Sequence, residues 1–317
     1  MGQRRVRHLL RRADGPVIAG VNRSSAKREA AEKEFGIATY ADVDAAIADF
    51  RPDVAFVCTA PALHGPTVLA CLRAGLDVFM ELNLVGPWYD EAIEIIREKK
   101  LTTYVAATPL HRREMKYVTE AVRETGPACY MMHGGAYLPD WHPWQDYHEF
   151  FAAKAETNGV REIFAVEFPW LERCFGRVKD FTVTKGRRTT LDIDYPDFCM
   201  VTLEHEGGSV GMYCQDVVCR RGERRLEVFS ENLHLFWEGT PDSLRRLDLA
   251  TKRLEDVNLY ETAEHDARYN ASVIEDMYAD EIDSFFDCVA LDAPGVYTLE
   301  DDRRTLELID RIEGVAR

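Results

Sequence analysis

The sequence contains no apolar run approaching the ~18 residues of a membrane-spanning helix, no Cys-x-x-Cys pair, no low-complexity segment and no internal repeat. Its amino terminus is Arg-rich without the apolar stretch that follows in a secretory signal, so a cytoplasmic protein is expected. The eight cysteines (58, 71, 129, 174, 199, 214, 219 and 288) lack metal-ligand spacing, and several sit inside apolar runs such as Phe56-Val57-Cys58. They are expected to be reduced core residues, with neither disulfides nor a metal site. Basic charge is also scarce: 39 Lys and Arg stand against 55 Asp and Glu, a net charge of -16. That balance argues against nucleic acid or a membrane surface as partner. The basic residues within the first twelve positions fit a helix start that faces a phosphate.

What is present is an alternation of apolar runs and helical patterns. Val54 to Cys58 form a five-residue apolar run that stops at Thr59-Ala60-Pro61, with His64 following; a helical stretch from Thr67 to Ala74 leads to Gly75 and a second run, Asp77 to Met80. Such runs linked by helices read as parallel strands of a covered α/β sheet. Further strands are expected at Val17–Val21 and from Thr103 to Ala106, with helices over Ala26–Phe35, Val43–Asp49 and Tyr89–Lys99. Beyond Thr108-Pro109 a helix from Glu114 to Glu124 precedes a series of alternating strand patterns, and helices close the chain at Met277–Cys288 and Leu299–Ile312. The fold class is therefore α/β, a Rossmann-type doubly wound parallel sheet over 1–108, followed over 109–317 by an α+β domain with a large, mostly antiparallel sheet.

The Thr59-Ala60-Pro61 segment with His64, and the Glu81-Leu82-Asn83 triplet that ends the next strand, resemble the Gfo/Idh/MocA family of NAD(P)-dependent sugar and cyclitol oxidoreductases. The likeness extends through the Arg225 to Trp237 stretch and the closing helices. It implies a nicotinamide site near Thr59, Pro61, His64, Glu81 and Asn83. In the family the triplet is Glu-Lys-Pro and its lysine helps move the proton of the reacting hydroxyl; Leu82 has no ionisable group to do so. Met1 to Leu10 look like the last glycine of a dinucleotide-binding motif, Gly2, and the helix after it. The first strand and first two glycines are missing, either because the start was placed too late, the favoured explanation, or because the protein lacks the strand.

At the end of the Val17 to Val21 strand the chain reads Asn22-Arg23-Ser24-Ser25. Asn22 cannot repel a 2′-phosphate, and Arg23, Ser24 and Ser25 can bind one, which favours NADP over NAD. Ser24 or Ser25 can equally cap the next helix, a compatible role. The family's second catalytic cluster corresponds to Thr157–Trp170, where Ile163 and Val166, or Glu167 in the longer form of the motif, replace its Asp and His. Replacement acid/base groups are Glu81, His111, Arg161, Glu162 and Glu167. The aromatic and histidine-rich loop from Tyr137 to His148 suits stacking on a sugar ring, with Asp140, Trp141, His142, Tyr147 and His148 as candidate substrate contacts. An aromatic-packed structural loop or an oligomer contact is the alternative. The resemblance implies hydride transfer at the carbinol carbon of a sugar, nucleotide sugar or polyol, with a non-standard proton relay. The alternatives are a redox-neutral lyase or epimerase using bound NAD(P), or an inactive sugar- or protein-binding descendant. A homodimer or homotetramer is expected from the resemblance alone.

Overall fold

The computed structural model describes residues 1–266 and 272–315. The chain divides into one unit of Met1–Ala106 with Tyr278–Arg304 and a second of Ala107–Met277 with Thr305–Arg317. The closing helices, grouped with the second domain on sequence, are thus shared between the two. The first unit begins α1 (Gly2–Leu10), β1 (Ala19–Val21), α2 (Ser25–Phe35), β2 (Ala38–Tyr40), α3 (Val43–Phe50) and β3 (Val54–Val57). It continues α4 (His64–Arg73), β4 (Asp77–Met80), α5 (Tyr89–Lys99) and β5 (Thr103–Val105). The second contains α6 (Arg113–Thr125), β6 (Cys129–Gly135), α7 (Leu138–Trp141), α8 (Gly159–Phe175), β7 (Val178–Gly186), β8 (Phe198–His205) and β9 (Val210–Asp216). There follow β10 (Glu223–Ser230), β11 (Leu233–Trp237), β12 (Arg245–Leu247), β13 (Leu254–Asp256), α9 (Asp276–Ala290) and α10 (Leu299–Glu313).

The expected parallel architecture is present in the first unit, in two pieces. β1 pairs with β2, and β3, β4 and β5 form a separate parallel sheet in that order. Among the described residues β1 has no strand partner besides β2, and β3 none besides β4. In register across the second piece stand Phe56, Phe79 and Tyr104. Their rings stack at 4.9 and 5.5 Å, and Phe285 meets all three edge-on. Aromatic pairs in these geometries add to the area they bury, so this ladder anchors the sheet whose carboxyl edge carries Thr59 and Glu81.

The second unit is built on an eight-stranded sheet of order β13-β12-β11-β10-β6-β9-β8-β7, antiparallel except where β6 lies beside β9. Burial alternates along β8, with Val201, Leu203 and His205 inside and Met200, Thr202 and Glu204 outside, as a sheet with one covered face requires. Helix α8 packs on β8 and β9, and α6 on α8 and β11. At the centre, Tyr130 of β6 lies across its register partner Gly211 of β9. A β-carbon at 211 would stand 1.9 Å from the Tyr130 ring. That ring also stacks on Phe175 at 4.2 Å, and its hydroxyl is 3.0 Å from His205 Nε2, so it has no room to withdraw.

Two sequence expectations need correction. β2, β12 and β13 were not anticipated, because a strand of three residues is too short to establish a period. Nor are the cysteines uniformly core residues: all eight are free thiols, but only Cys71, Cys174 and Cys199 are buried and Cys129 is exposed. Cys129 stands at the outward position of an alternating strand, where an apolar run and a half-exposed strand look alike. The Tyr130 contact makes Gly211→Ala an overpacking change, expected to destabilise the protein by about 1–3 kcal/mol or more. Urea unfolding measures this, and a variant as stable as the parent would contradict the packing described.

Candidate functional site

In the first unit the groups expected at the nicotinamide cluster at the carboxyl ends of β3 and β4, the edge at which open α/β sheets bind ligands. Glu81 is buried there and held by Arg5 of α1, whose Nε donates to Oε1 at 2.6 Å while Nη2 reaches Oε2 at 3.4 Å. The same Nη2 donates to Glu281 at 2.7 Å, and the guanidinium lies 4.5 Å from the Phe79 ring centroid. Burial by itself lowers the Arg5 pKa, but Glu81 and then Glu281 outweigh it and push it up. Cys58 points its thiol at Glu81 Oε1, 3.9 Å away, and burial followed by that carboxylate raises it to about 12. A carboxylate so committed to an arginine is a structural ion, not a free base.

His64 is fully buried. Its Nε2 is 2.9 Å from the Thr59 carbonyl and its Nδ1 3.3 Å from Asn83 Oδ1. Asn83 in turn donates to the Val85 carbonyl at 2.8 Å and the Tyr89 hydroxyl at 2.6 Å, and Tyr89 donates to Asp302. Burial lowers the His64 pKa, so the ring stays neutral and ties the β3 loop to the β4 loop. Thr59 itself is exposed, and Pro61 is buried. Asn22 accepts a hydrogen bond from the Ser24 amide at 3.0 Å, and Ser24 Oγ caps α2 by accepting from the Lys27 amide. Arg28 donates to the carbonyls of Asn22 and Arg23 at 2.8 and 3.0 Å, which fixes the turn beneath the exposed Arg23 side chain. Gly2 opens α1, whose start has no side-chain cap.

In the second unit α8 begins at Asn158, whose Oδ1 accepts from the Arg161 amide at 2.7 Å. Arg161 is fully buried and pairs with Asp310 at 2.7 Å and Glu313 at 2.5 Å, both on α10. Glu167 is likewise enclosed: Arg224 donates to it at 2.9 Å and so does the Trp170 indole. His111 is buried at the end of the short Thr108–His111 turn. Glu162 differs from all of these. Among the described residues its Oε2 is buried with no hydrogen-bond partner, and burial raises its pKa from the ordinary 4.5 to about 8. It is a carboxylic acid that keeps its proton at neutral pH.

The aromatic loop packs mainly on itself. Trp141 donates its indole N–H to the Ala136 carbonyl at 2.9 Å, and His142 meets Phe150 edge-on at 4.4 Å with its Nδ1 buried and unpartnered. Tyr147 accepts from the Asp192 amide at 3.2 Å, and His148 pairs with Asp146 at 2.6 Å. Asp140 is exposed. Sequence reasoning missed Arg5, Glu281, Arg224 and Glu313, the partners that decide which candidate carboxylates and cations are free. It also missed His133, Cys214 and Asp216, brought together where β6 meets β9.

The Glu162 pKa fixes the sign of a pH dependence. Between pH 4.5 and about 8 the folded state binds a proton that the unfolded state releases, so stability falls as pH rises through this window. Glu162→Gln removes that loss and is expected to be more stable than the parent at pH 8, by on the order of 4 kcal/mol, and not at acid pH. Chemical denaturation at both ends of the window checks it; an unchanged pH dependence would contradict a protonated Glu162.

Residues 1–106 match the model of the oxidoreductase family GFO_IDH_MocA, with its NAD-binding Rossmann fold. A search of curated proteins finds no match. Among solved structures, an oxidoreductase from Agrobacterium radiobacter in complex with NAD+, L-tartaric acid and magnesium is similar, with a TM-score of 0.83 and 12% identity, over 98% of this chain and 91% of that one. UDP-N-acetylglucosamine 3-dehydrogenase from Acidithiobacillus ferrooxidans has a TM-score of 0.77 and 16% identity, covering 96% of this chain and 92% of its own. Biliverdin reductase from Synechocystis sp. PCC 6803, solved with biliverdin and NADP+, has a TM-score of 0.75 and 16% identity, over 98% and 94% respectively. The fold is therefore common to all of these, and residues 1–106 are similar to the Gfo/Idh/MocA oxidoreductase family through its NAD-binding Rossmann fold.

Proposed function

We propose that the protein is an NAD(P)-dependent oxidoreductase acting at the carbinol carbon of a sugar, nucleotide sugar or polyol, with Glu162 as its proton-transfer group. The observation that carries this reading is the buried, unpartnered Oε2 of Glu162 with its pKa near neutrality. A carboxylic acid tuned to about 8 can give a proton to a developing alkoxide and take one back within the ordinary pH range. Leu82 cannot do this from the position of the family's lysine. Glu81, Arg161 and Glu167 are held in ion pairs and act here as positioning groups for α1, α8 and the sheet.

The residues present fit a dinucleotide. The uncapped start of α1 at Gly2 offers amide donors to a pyrophosphate, and the Asn22–Ser24 turn with exposed Arg23 suits a 2′-phosphate, which favours NADP. When bound, the nicotinamide supplies the hydride acceptor or donor. Thr59, Glu81 and the buried His64–Asn83 pair then shape its end of the first unit's site, and in the second unit the exposed Asp140 of the aromatic loop is a candidate for a substrate hydroxyl. The outward face of the large sheet carries Met131, Met200, Val210 and Met212, all more than a third exposed, which supports a homodimer or homotetramer.

The enclosure of Glu81, Arg161 and Glu167 also favours a second reading, a sugar-binding descendant without turnover. Titration of NADPH and NADH, followed by sugar- and polyol-dependent absorbance change, separates the two. The first predicts tighter NADPH binding, and a kcat lowered roughly 10²–10⁴-fold in Glu162→Gln with cofactor affinity unchanged. Unaltered turnover in that variant would overturn the assignment of Glu162, and absence of both nucleotide binding and turnover would favour the second reading.

A further inference from the structure

His133 of β6 and Cys214 of β9 are direct register partners on the outward face of the large sheet. Asp216 follows Cys214 by two positions and so points to the same side. His133 Nε2 lies 2.7 Å from Asp216 Oδ2, and one donor atom from each of the three residues lies within 4.8 Å of the other two. The carboxylate is aimed by its surroundings. Its Oδ1 accepts from the amides of Val218 and Cys219 at 2.8 and 2.7 Å, which leaves Oδ2 turned toward the histidine. Opposite it in register stands Gly135, where a β-carbon would come within 2.5 Å of Oδ2. The carboxylate therefore occupies space that only glycine at 135 leaves open.

We propose that His133, Cys214 and Asp216 form a binding site for a zinc-class divalent cation. One imidazole, one thiolate and one carboxylate make a donor set of mixed softness that suits zinc and disfavours magnesium and calcium, which take oxygen donors. The donor atoms lie close enough for small side-chain movements to gather them around one tetrahedral ion, with water in the fourth position. The two amides on Oδ1 act as the outer hydrogen bonds that orient a metal-bound carboxylate. On binding, the Cys214 thiol and the His133 Nε2–H each give up their proton to solvent, the imidazole staying neutral by taking a proton at Nδ1, and the sulfur, Nε2 and the Asp216 carboxylate bond the cation in place of the hydrogen bond between His133 and Asp216. The Cys219 thiol donates to the Arg221 carbonyl at 2.9 Å and is not a ligand.

The test is to titrate the metal-free chain with cobalt(II) and with zinc, reading the thiolate-to-cobalt absorption band and the metal content per chain. One ion per chain is expected, with the thiolate band present in the parent and in Cys129→Ser, which removes the exposed thiol at the start of β6. The band is expected to be lost in Cys214→Ser and the ion bound more weakly in His133→Gln, with circular dichroism unchanged in both. No thiolate band in the parent chain, or a band that persists in Cys214→Ser, would overturn the proposal.

Discussion

A charge taken out of water costs several kcal/mol unless a partner replaces the hydration it loses, and this constraint organises both halves of the protein. In the first unit the Arg5 guanidinium satisfies Glu81 and Glu281 together while lying against Phe79, so one cation joins α1, the end of β4 and α9. In the second, Arg161 joins α8 to α10 through Asp310 and Glu313, and Arg224 joins the sheet to α8 through Glu167. Removing Arg5 or Arg224 would leave Glu81 or Glu167 buried without that counter-charge, the expensive way to break such a pair. These ion pairs set the geometry of the elements around the carboxyl edge of the parallel sheet and the start of α8.

Against that background Glu162 stands apart. Where its neighbours are neutralised by arginines, it is neutralised by its own proton. The same burial that would penalise a carboxylate raises its pKa toward neutrality, the property on which the proposed proton transfer rests. The neutral His64, locked between Thr59 and Asn83, keeps the adjacent loops in place without adding charge.

Much of the fold was legible in the sequence because it is carried by local signals. Helix α5 runs from Tyr89 to Lys99 as its pattern predicts, with Asp90 and Glu91 in its first turn and Arg97 and Lys99 in its last. The alternation in β8 and β9 marked the sheet and its open face. The site was legible only in part. Glu162 could be picked out as a carboxylate in an altered motif, but Glu81 and Glu167 carried the same signal. What separates them is the presence or absence of an arginine 76 or 57 positions away, which no periodicity encodes. The Cys214 and Asp216 spacing did place both side chains on one face, yet their partner His133 arrives from a strand 83 residues from Asp216.

The most direct test of this account is the titration of the Glu162 carboxyl itself, by carbon-13 NMR of the selectively labelled protein compared with Glu162→Gln. The account predicts a resonance that disappears in the variant and titrates with a midpoint at about 8. A midpoint near the ordinary 4.5 would mean that the group is ionised in the folded protein, and would contradict its role as a neutral acid.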